Sequence, residues 1–166
     1  MYIHIFVLKL HIMRIDEEIK SKFTSEYQKA IVNIIYTSNW LENRHSILLK
    51  PFGISTQQFN LLRILRGQHP KPASVNLLID RMLDKTSNAS RLVEKLRKKE
   101  LVERRICEAD RRQVDVLITN KGLDLLKELD IITKEFHNQL KEISEHEIEM
   151  INNILDKLRI TINNNQ

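Results

Sequence analysis

The chain has 166 residues, of which 30% are charged and 42% are hydrophobic, with only three Gly, three Pro and one Cys. This length corresponds to one domain or a small domain with appendages. The scarcity of Gly and Pro argues against a barrel or sandwich of many short strands, and a single cysteine excludes an intramolecular disulfide framework and a multi-cysteine zinc site. Few aromatic residues together with abundant Leu and Ile indicate a cytoplasmic protein of packed helices.

The net charge of +5 is concentrated in one segment of the chain. Residues 81–112 hold eleven Lys/Arg against six Asp/Glu, whereas residues 123–162 hold five against nine. A positive surplus confined to one segment points to a polyanionic partner. A solvated helix face would give a similar count, so charge alone does not distinguish a binding surface from an ordinary one.

Residues 1–13 form an apolar extension unlike the rest of the chain. The extension does not match a signal peptide, because no basic residues precede its apolar run and no small-residue cleavage site follows it. It is also shorter than the ~20 residues of a membrane-spanning helix, so no contact with a membrane is expected. Two interpretations stay open: the extension packs on the body, or it precedes a native start at Met13. The aggregation hazard of such an exposed segment favours the second.

Apolar periodicity predicts helices over most of the chain. One helix is expected from about Asp16 to Leu49, and a second follows the capping box of residues 55–58. Ser74 is the predicted N-cap of a short helix over 75–83, with Val75, Leu78, Ile79 and Met82 expected to face inward. A third short helix is expected to begin near Thr86 or Ser87.

Two strand candidates, residues 101–106 and 113–118, follow the short helices and flank a charged turn. Thr119 is the predicted cap of a long helix with an apolar stripe, and a second capping box over residues 144–147 begins the last helix. The predicted fold is therefore mainly α with a small β-hairpin wing, that is, a winged helix-turn-helix with flanking helices.

The third short helix carries the strongest functional signal. Its apolar residues must face a core, so the polar residues at its N-terminal end project elsewhere. An α-helix fits the major groove of duplex DNA, where its first turns reach base edges. The predicted base-reading residues are Ser87, Asn88, Ser90 and Arg91.

Basic residues around this helix complete the predicted interface with double-stranded DNA. Lys85, Lys95 and Arg105 are expected near phosphates. Arg111 and Arg112 lie at the tip of the ribbon, and arginine is the side chain preferred in the minor groove.

Three sequence segments resemble those of MarR-type transcriptional regulators: Asn88–Leu96, Leu101–Arg105, and Asp110–Arg112 together with Leu117–Thr119. The resemblance spans roughly residues 16–162. It implies a homodimeric repressor of a pseudo-palindromic operator, in which residues 14–50 and 120–166 form the dimerisation region and 51–119 the DNA-binding domain. It also implies that Arg112 is the minor-groove arginine of the wing and that Asp110 orients the wing through a salt bridge.

The resemblance further implies that a small aromatic or phenolic effector releases the DNA from a cleft between the dimerisation and DNA-binding regions. Tyr36, Trp40 and His45 of the first long helix are candidate wall residues, although packing at an interface explains them equally well. One position departs from the family pattern. Glu100 stands where the family often has Gly, and a left-handed conformation there would cost about 1 kcal/mol.

Two alternatives to this function remain. A winged-helix scaffold would use its helical arms for protein–protein assembly without specific DNA binding. A thiol-switched regulator would use Cys107, where neighbouring arginines favour the reactive thiolate, although a lone cysteine in a hairpin is more often incidental. The six histidines form no metal-binding pattern, no cofactor is expected, and the absence of phosphate-loop and nucleophile motifs argues against an enzyme.

Overall fold

The fold is that of a computed structural model, which describes residues 14–106 and 114–163. The apolar extension and the tip of the ribbon, including Cys107, lie outside the described residues. The chain divides into two compact units, residues 1–47 and 48–166. Within the described part, no helix combines the length and the apolar character needed to cross a membrane.

The first unit contains helix α1 (Ile15–Glu18) and most of helix α2 (Glu26–Leu49). The single helix predicted over residues 16–49 is therefore wrong. Ser25 Oγ accepts a hydrogen bond from the backbone N–H of Gln28 at 3.2 Å, so α2 begins with its own cap. The sequence did not reveal this break, because the segments on both sides of it have amphipathic helical patterns that join into one periodic stripe.

The described residues of the second unit contain five α-helices, two short 3-10 helices (Lys50–Phe52 and Gln139–Glu142) and a three-stranded sheet. The α-helices are α3 (Thr56–Gln68), α4 (Val75–Arg81), α5 (Ala89–Arg97), α6 (Asn120–Asn138) and α7 (Glu145–Asn163). The strands are β1 (Ala73–Ser74), β2 (Val102–Ile106) and β3 (Val114–Ile118). One hydrophobic core joins α3 to α6 with the sheet, and its members include Leu62, Leu78, Val93, Val116 and Leu126.

Four helix starts predicted from the sequence are confirmed by side-chain caps. In each case a hydroxyl oxygen accepts a backbone N–H three residues further on, at 3.1–3.3 Å. The capping residues are Ser55, Ser74, Thr119 and Ser144. These caps are local, which is why the sequence alone identified them.

The sheet has the antiparallel order β1-β3-β2. Strands β2 and β3 pair as the predicted ribbon, with Val102 opposite Ile118 and Ile106 opposite Val114. Strand β1 adds two residues to the other edge of β3, where Ala73 lies opposite Val116. The sequence did not predict β1, because two residues are too few to show strand alternation.

The connection from α5 to β2 contains a left-handed residue, although Glu100 stands there in place of the Gly often found in the family. Glu100 has a φ of 63°, and the N–H of Leu101 donates to the carbonyl of Leu96 at 3.1 Å. This hydrogen bond closes the end of α5 in the manner of a Schellman motif. Two contacts support the residue: Thr119 Oγ1 donates to the Glu100 carbonyl at 2.8 Å, and Lys121 Nζ lies 2.7 Å from the Glu100 carboxylate.

Candidate nucleic-acid interface

Helices α4 and α5 form the helix-turn-helix, and an aspartate organises the turn between them. Asp84 accepts hydrogen bonds from the hydroxyls of Thr86 and Ser87, both at 2.6 Å, and from the Thr86 N–H at 2.9 Å. These hydrogen bonds hold the pKa of Asp84 below its ordinary value, and the bond from Ser87 has the largest effect. The carboxylate is therefore ionised at neutral pH and fixes the chain just before α5.

Helix α5 begins at Ala89, later than the predicted start at Thr86 or Ser87, and Asn88 is its N-cap. The Asn88 Oδ1 atom accepts the Arg91 N–H at 2.9 Å. The sequence placed Asn88 among the base-reading residues. In the structure its side-chain oxygen accepts the capping hydrogen bond, so the base-reading role of Asn88 stays a prediction for its Nδ2 amide.

The two faces of α5 differ as the apolar pattern predicted. Ala89, Val93 and Leu96 are at most 2% exposed and pack in the core. On the opposite face, Ser90, Arg91 and Lys95 are exposed to solvent. The structure thus brings three of the predicted DNA-binding residues onto one exposed surface of α5, with Ser90 and Arg91 in its first turn and Lys95 in its last.

Ser87 and Lys85 have contacts that the sequence did not indicate. Ser87 is half-buried and its hydroxyl donates to Asp84. Lys85 Nζ donates to the carbonyls of Ile79 and Asp80 at the end of α4. Their assignments as a base-reading and a phosphate-binding residue stay predictions, and in this structure both residues support the turn.

Helix α4 is shorter than predicted, since it ends at Arg81. Leu78 and Met82 are buried as expected, but Ile79 is 38% exposed and does not face the core as predicted. The helix thus ends two residues before its predicted end, and its inward-facing stripe is narrower than expected.

Strand β2 carries basic residues on both of its faces. Side chains alternate along a strand, so Arg104 shares the face of buried Val102, and Arg105 shares the opposite face with Glu103. Arg105 Nη2 lies 3.0 Å from Glu103 Oε2. The remaining predicted wing residues, Asp110, Arg111 and Arg112, lie outside the described residues.

Two further residues lie beside the candidate interface and were not among the predicted DNA-binding residues: Glu94 of α5 and Lys98, the C-cap of that helix. Lys98 is exposed and continues the helical stripe of Arg91 and Lys95. Glu94 lies between them, and its carboxylate accepts hydrogen bonds from Arg97. Their spacing from Arg91, i+3 for Glu94 and i+7 for Lys98, is the sequence signal that places both residues on the same side of the helix as Arg91.

The three candidate effector residues all lie on α2 in the first unit. The Tyr36 hydroxyl donates to Glu18 Oε1 at 2.7 Å, and this hydrogen bond raises the pKa of Tyr36. Trp40 is 44% exposed, with the Arg44 guanidinium 5.1 Å from its ring centroid. His45 is half-buried. A separate cavity of about 530 Å³ lies in the second unit, lined by residues 137–148.

The helices outside the winged helix expose rows of apolar side chains. On α7, Ile151, Ile154 and Leu158 recur at helical spacing and are 37–64% exposed. On α2, Tyr27 and Ile31 are 84% and 53% exposed. Such rows on an isolated chain indicate a surface for association.

Comparison with known proteins identifies relatives of the winged-helix region. Residues 52–113 match the model of the MarR family. The chain is 28% identical over 117 residues to the HTH-type transcriptional regulator MhqR of Bacillus subtilis (strain 168). This alignment covers 70% of this chain and 77% of MhqR. It is 33% identical over 92 residues to the transcriptional repressor MprA of Escherichia coli, covering 55% of this chain and 52% of MprA. The match therefore spans about half the length of MprA.

A solved structure shares the fold over most of the chain. The crystal structure of the S. aureus MepR–DNA complex has a TM-score of 0.71 with this chain, 23% sequence identity, and coverage of 84% of this chain and 99% of that one. The fold class predicted from the sequence, a mainly helical winged helix-turn-helix, is thereby confirmed.

Proposed function

The winged-helix region of this chain is of the MarR family, and from this premise we propose that the protein is a sequence-specific, double-stranded-DNA-binding regulator of transcription in the cytoplasm. One observation carries the proposal: the face of α5 opposite the core is exposed and begins with Asn88, Ser90 and Arg91. A helix presented in this way fits the major groove, with its first turn at the base edges.

Each base-reading residue has a stated role. Arg91 donates to guanine, and the Nδ2 amide of Asn88 donates to an acceptor on a base. Ser87 and Ser90 supply hydroxyls, while Lys85, Lys95 and Arg105 neutralise phosphates. In the wing, Arg111 and Arg112 enter the minor groove and Asp110 orients them, as the family resemblance implies.

The test of DNA binding compares two arginines that carry the same charge. Arg91→Ala should weaken binding to the operator by about 1–3 kcal/mol and relax the preference at one base pair. Arg63→Ala is the matched control, because Arg63 is an exposed arginine on α3, where its guanidinium lies 5.8 Å from the Phe59 ring centroid. Affinities for the promoter of the protein's own gene and for random DNA are measured by fluorescence anisotropy over a salt series.

The outcomes separate the proposal from its rival. If the wild type binds promoter and random DNA equally, the protein is not a sequence-specific regulator, and the assembly scaffold is favoured. If Arg91→Ala and Arg63→Ala behave alike, α5 is not the base-reading helix. Arg112→Ala tests the wing separately, since unchanged affinity for both DNAs would remove the wing from the interface.

We also propose that the protein is a homodimer that presents α5 twice to a pseudo-palindromic operator. The exposed apolar rows on α2 and α7 support this, because association would remove them from water. Ile154→Glu places a charge in the α7 row and should shift the protein to monomers in sedimentation. Glu149→Gln on the same helix is a control for a change of charge. A wild-type monomer at micromolar concentration would contradict the dimer.

The regulator is proposed to act as a repressor, by covering its promoter until an aromatic or phenolic effector binds at Tyr36, Trp40 and His45. Trp40 is the single tryptophan of the chain, so its fluorescence reports directly on this surface. Titration with 4-hydroxybenzoate should quench the fluorescence and release operator DNA over the same concentration range. Quenching without release of DNA would argue against an effector site here.

A further inference from the structure

An acidic side chain lies within the cationic face of α5. Glu94 follows Arg91 by three residues and precedes Lys98 by four, so it lies beside both on the helix surface. A carboxylate in this place repels DNA phosphates. The proposed function therefore requires that neighbouring positive charges neutralise this carboxylate, or that the carboxylate has a structural role of its own.

Two arginines from different elements hold the Glu94 carboxylate. Arg97 donates from Nε and Nη2 to the two carboxylate oxygens at 3.0 and 2.9 Å. Arg104 Nη1, which comes from β2, lies 3.6 Å from Glu94 Oε2. The hydrogen bonds from Arg97, and then the positive charges nearby, lower the pKa of Glu94, so it is ionised at neutral pH.

The strand side of this contact is set by alternation along β2. Arg104 shares a face with buried Val102, which turns it towards α5. Glu103 and Arg105 lie on the opposite face and pair with each other. Glu94 is thus the acidic partner that Arg104 meets across the two elements, and Glu103 has a separate partner of its own.

We propose that Glu94 is a positioning residue that holds β2 against α5, so that the helix and the wing reach neighbouring grooves together. The inference rests on the proposed DNA-binding function and adds a residue to it. Through Arg104, the carboxylate couples the base-reading helix to the strand that leads into residues 107–113.

The test compares two substitutions that each remove one negative charge from the same region. Glu94→Gln cuts the link between α5 and β2, whereas Glu103→Gln removes a carboxylate that is paired within β2. Simple electrostatics predicts that both variants bind all DNA more tightly. If Glu94 positions β2, Glu94→Gln should also lower the ratio of operator to random-DNA affinity, by about two- to fivefold. Glu103→Gln should leave this ratio unchanged.

A double-mutant cycle approaches the same contact from the strand. Arg104→Gln should lower the affinity ratio, and adding Glu94→Gln should lower it no further. Equal ratios for Glu94→Gln, Glu103→Gln and the wild type would overturn the inference. A changed preference at a single base pair would make Glu94 a base-reading residue and would overturn it too.

The failure of the inference is distinguishable from the failure of the proposed function. If the wild type does not prefer its operator over random DNA, both the proposed function and the positioning role of Glu94 are refuted. A wild type with clear preference, combined with a Glu94→Gln variant that keeps it, removes only the positioning role. Thermal unfolding at one protein concentration confirms that the compared variants are folded.

Discussion

The start of α6 approaches Leu101, just before β2, and Ile118, at the end of β3, so closely that a single methyl group would not fit. Gly122 is buried in the first turn of α6, and a Cβ atom there would lie 2.4 Å from the Leu101 carbonyl oxygen and 2.8 Å from Ile118 Cγ1. The Leu101 carbonyl is fixed, because it accepts the Thr119 N–H at 3.1 Å. Gly122→Ala must therefore displace backbone by about 1 Å to restore ordinary contact distances.

The free-energy change for Gly122→Ala follows from three contributions. Overpacking costs about 1–3 kcal/mol, and loss of the Thr119–Leu101 hydrogen bond costs about 0.5–1.5 kcal/mol. The higher helix propensity of alanine returns about 1 kcal/mol. We expect Gly122→Ala to lower the free energy of unfolding by roughly 1–3 kcal/mol.

The matched control is another helical glycine with free space around it. Gly67 lies in α3, and a Cβ added there would meet no atom within 4 Å. Gly67→Ala should therefore raise the free energy of unfolding by about 0.5–1 kcal/mol. Urea unfolding at one protein concentration should move the midpoints of the two variants in opposite directions, by about 1 M or less each. Equal shifts for both alanines would refute the close approach of α6 to Leu101.

Three further predictions concern the turn and the two ends of α5. Asn88→Ala removes the N-cap and should lower the free energy of unfolding by about 1 kcal/mol, whereas Asn88→Ser should keep most of it, as urea unfolding can measure. Asp84 has a lowered pKa, so its stabilising effect is complete at neutral pH and is lost as the pH falls through the folded-state pKa. The stability advantage of the wild type over Asp84→Asn should accordingly shrink below roughly pH 4 in urea unfolding at several pH values, and a constant advantage would contradict the Asp84 contacts. Glu100→Gly relieves the left-handed φ of 63° and should raise the unfolding midpoint, with Lys121→Gln as the control that separates the lost ion pair from the backbone effect.

Elements with local signals were predicted from the sequence. The caps at Ser55, Ser74, Thr119 and Ser144 were predicted because each is a Ser or Thr directly before an apolar helical pattern. At that place the hydroxyl can accept the backbone N–H three residues further on. The buried stripe of α5 was found because helical periodicity specifies which residues face the core. Together with the strand patterns of residues 101–106 and 113–118, these signals predicted the winged-helix fold and the exposed surface at Arg91.

Other features were decided only by the tertiary structure. The break before α2 was not predicted, because the apolar pattern continues on both sides of it. The cap formed by the Ser25 hydroxyl became evident only in the structure. The contact between Glu94 and Arg104 joins a helix to a strand, and periodicity within one element carries no information about the partner in another. The close approach at Gly122 likewise depends on Leu101 and Ile118, which precede it in the chain but reach it only through folding.

The amino-acid sequence by itself determined the buried stripe of α5, where most helices begin, and which face of α5 meets solvent, since these follow from short-range spacing and chemistry. The tertiary structure alone decided which charged groups are engaged by others. In the structure Ser87 donates to Asp84, and Lys85 donates to carbonyls at the end of α4. The Glu94 carboxylate is contacted by Arg97 and Arg104. The physical reason is that an ion pair or hydrogen bond depends on distances between elements, and these distances arise only when the core has packed.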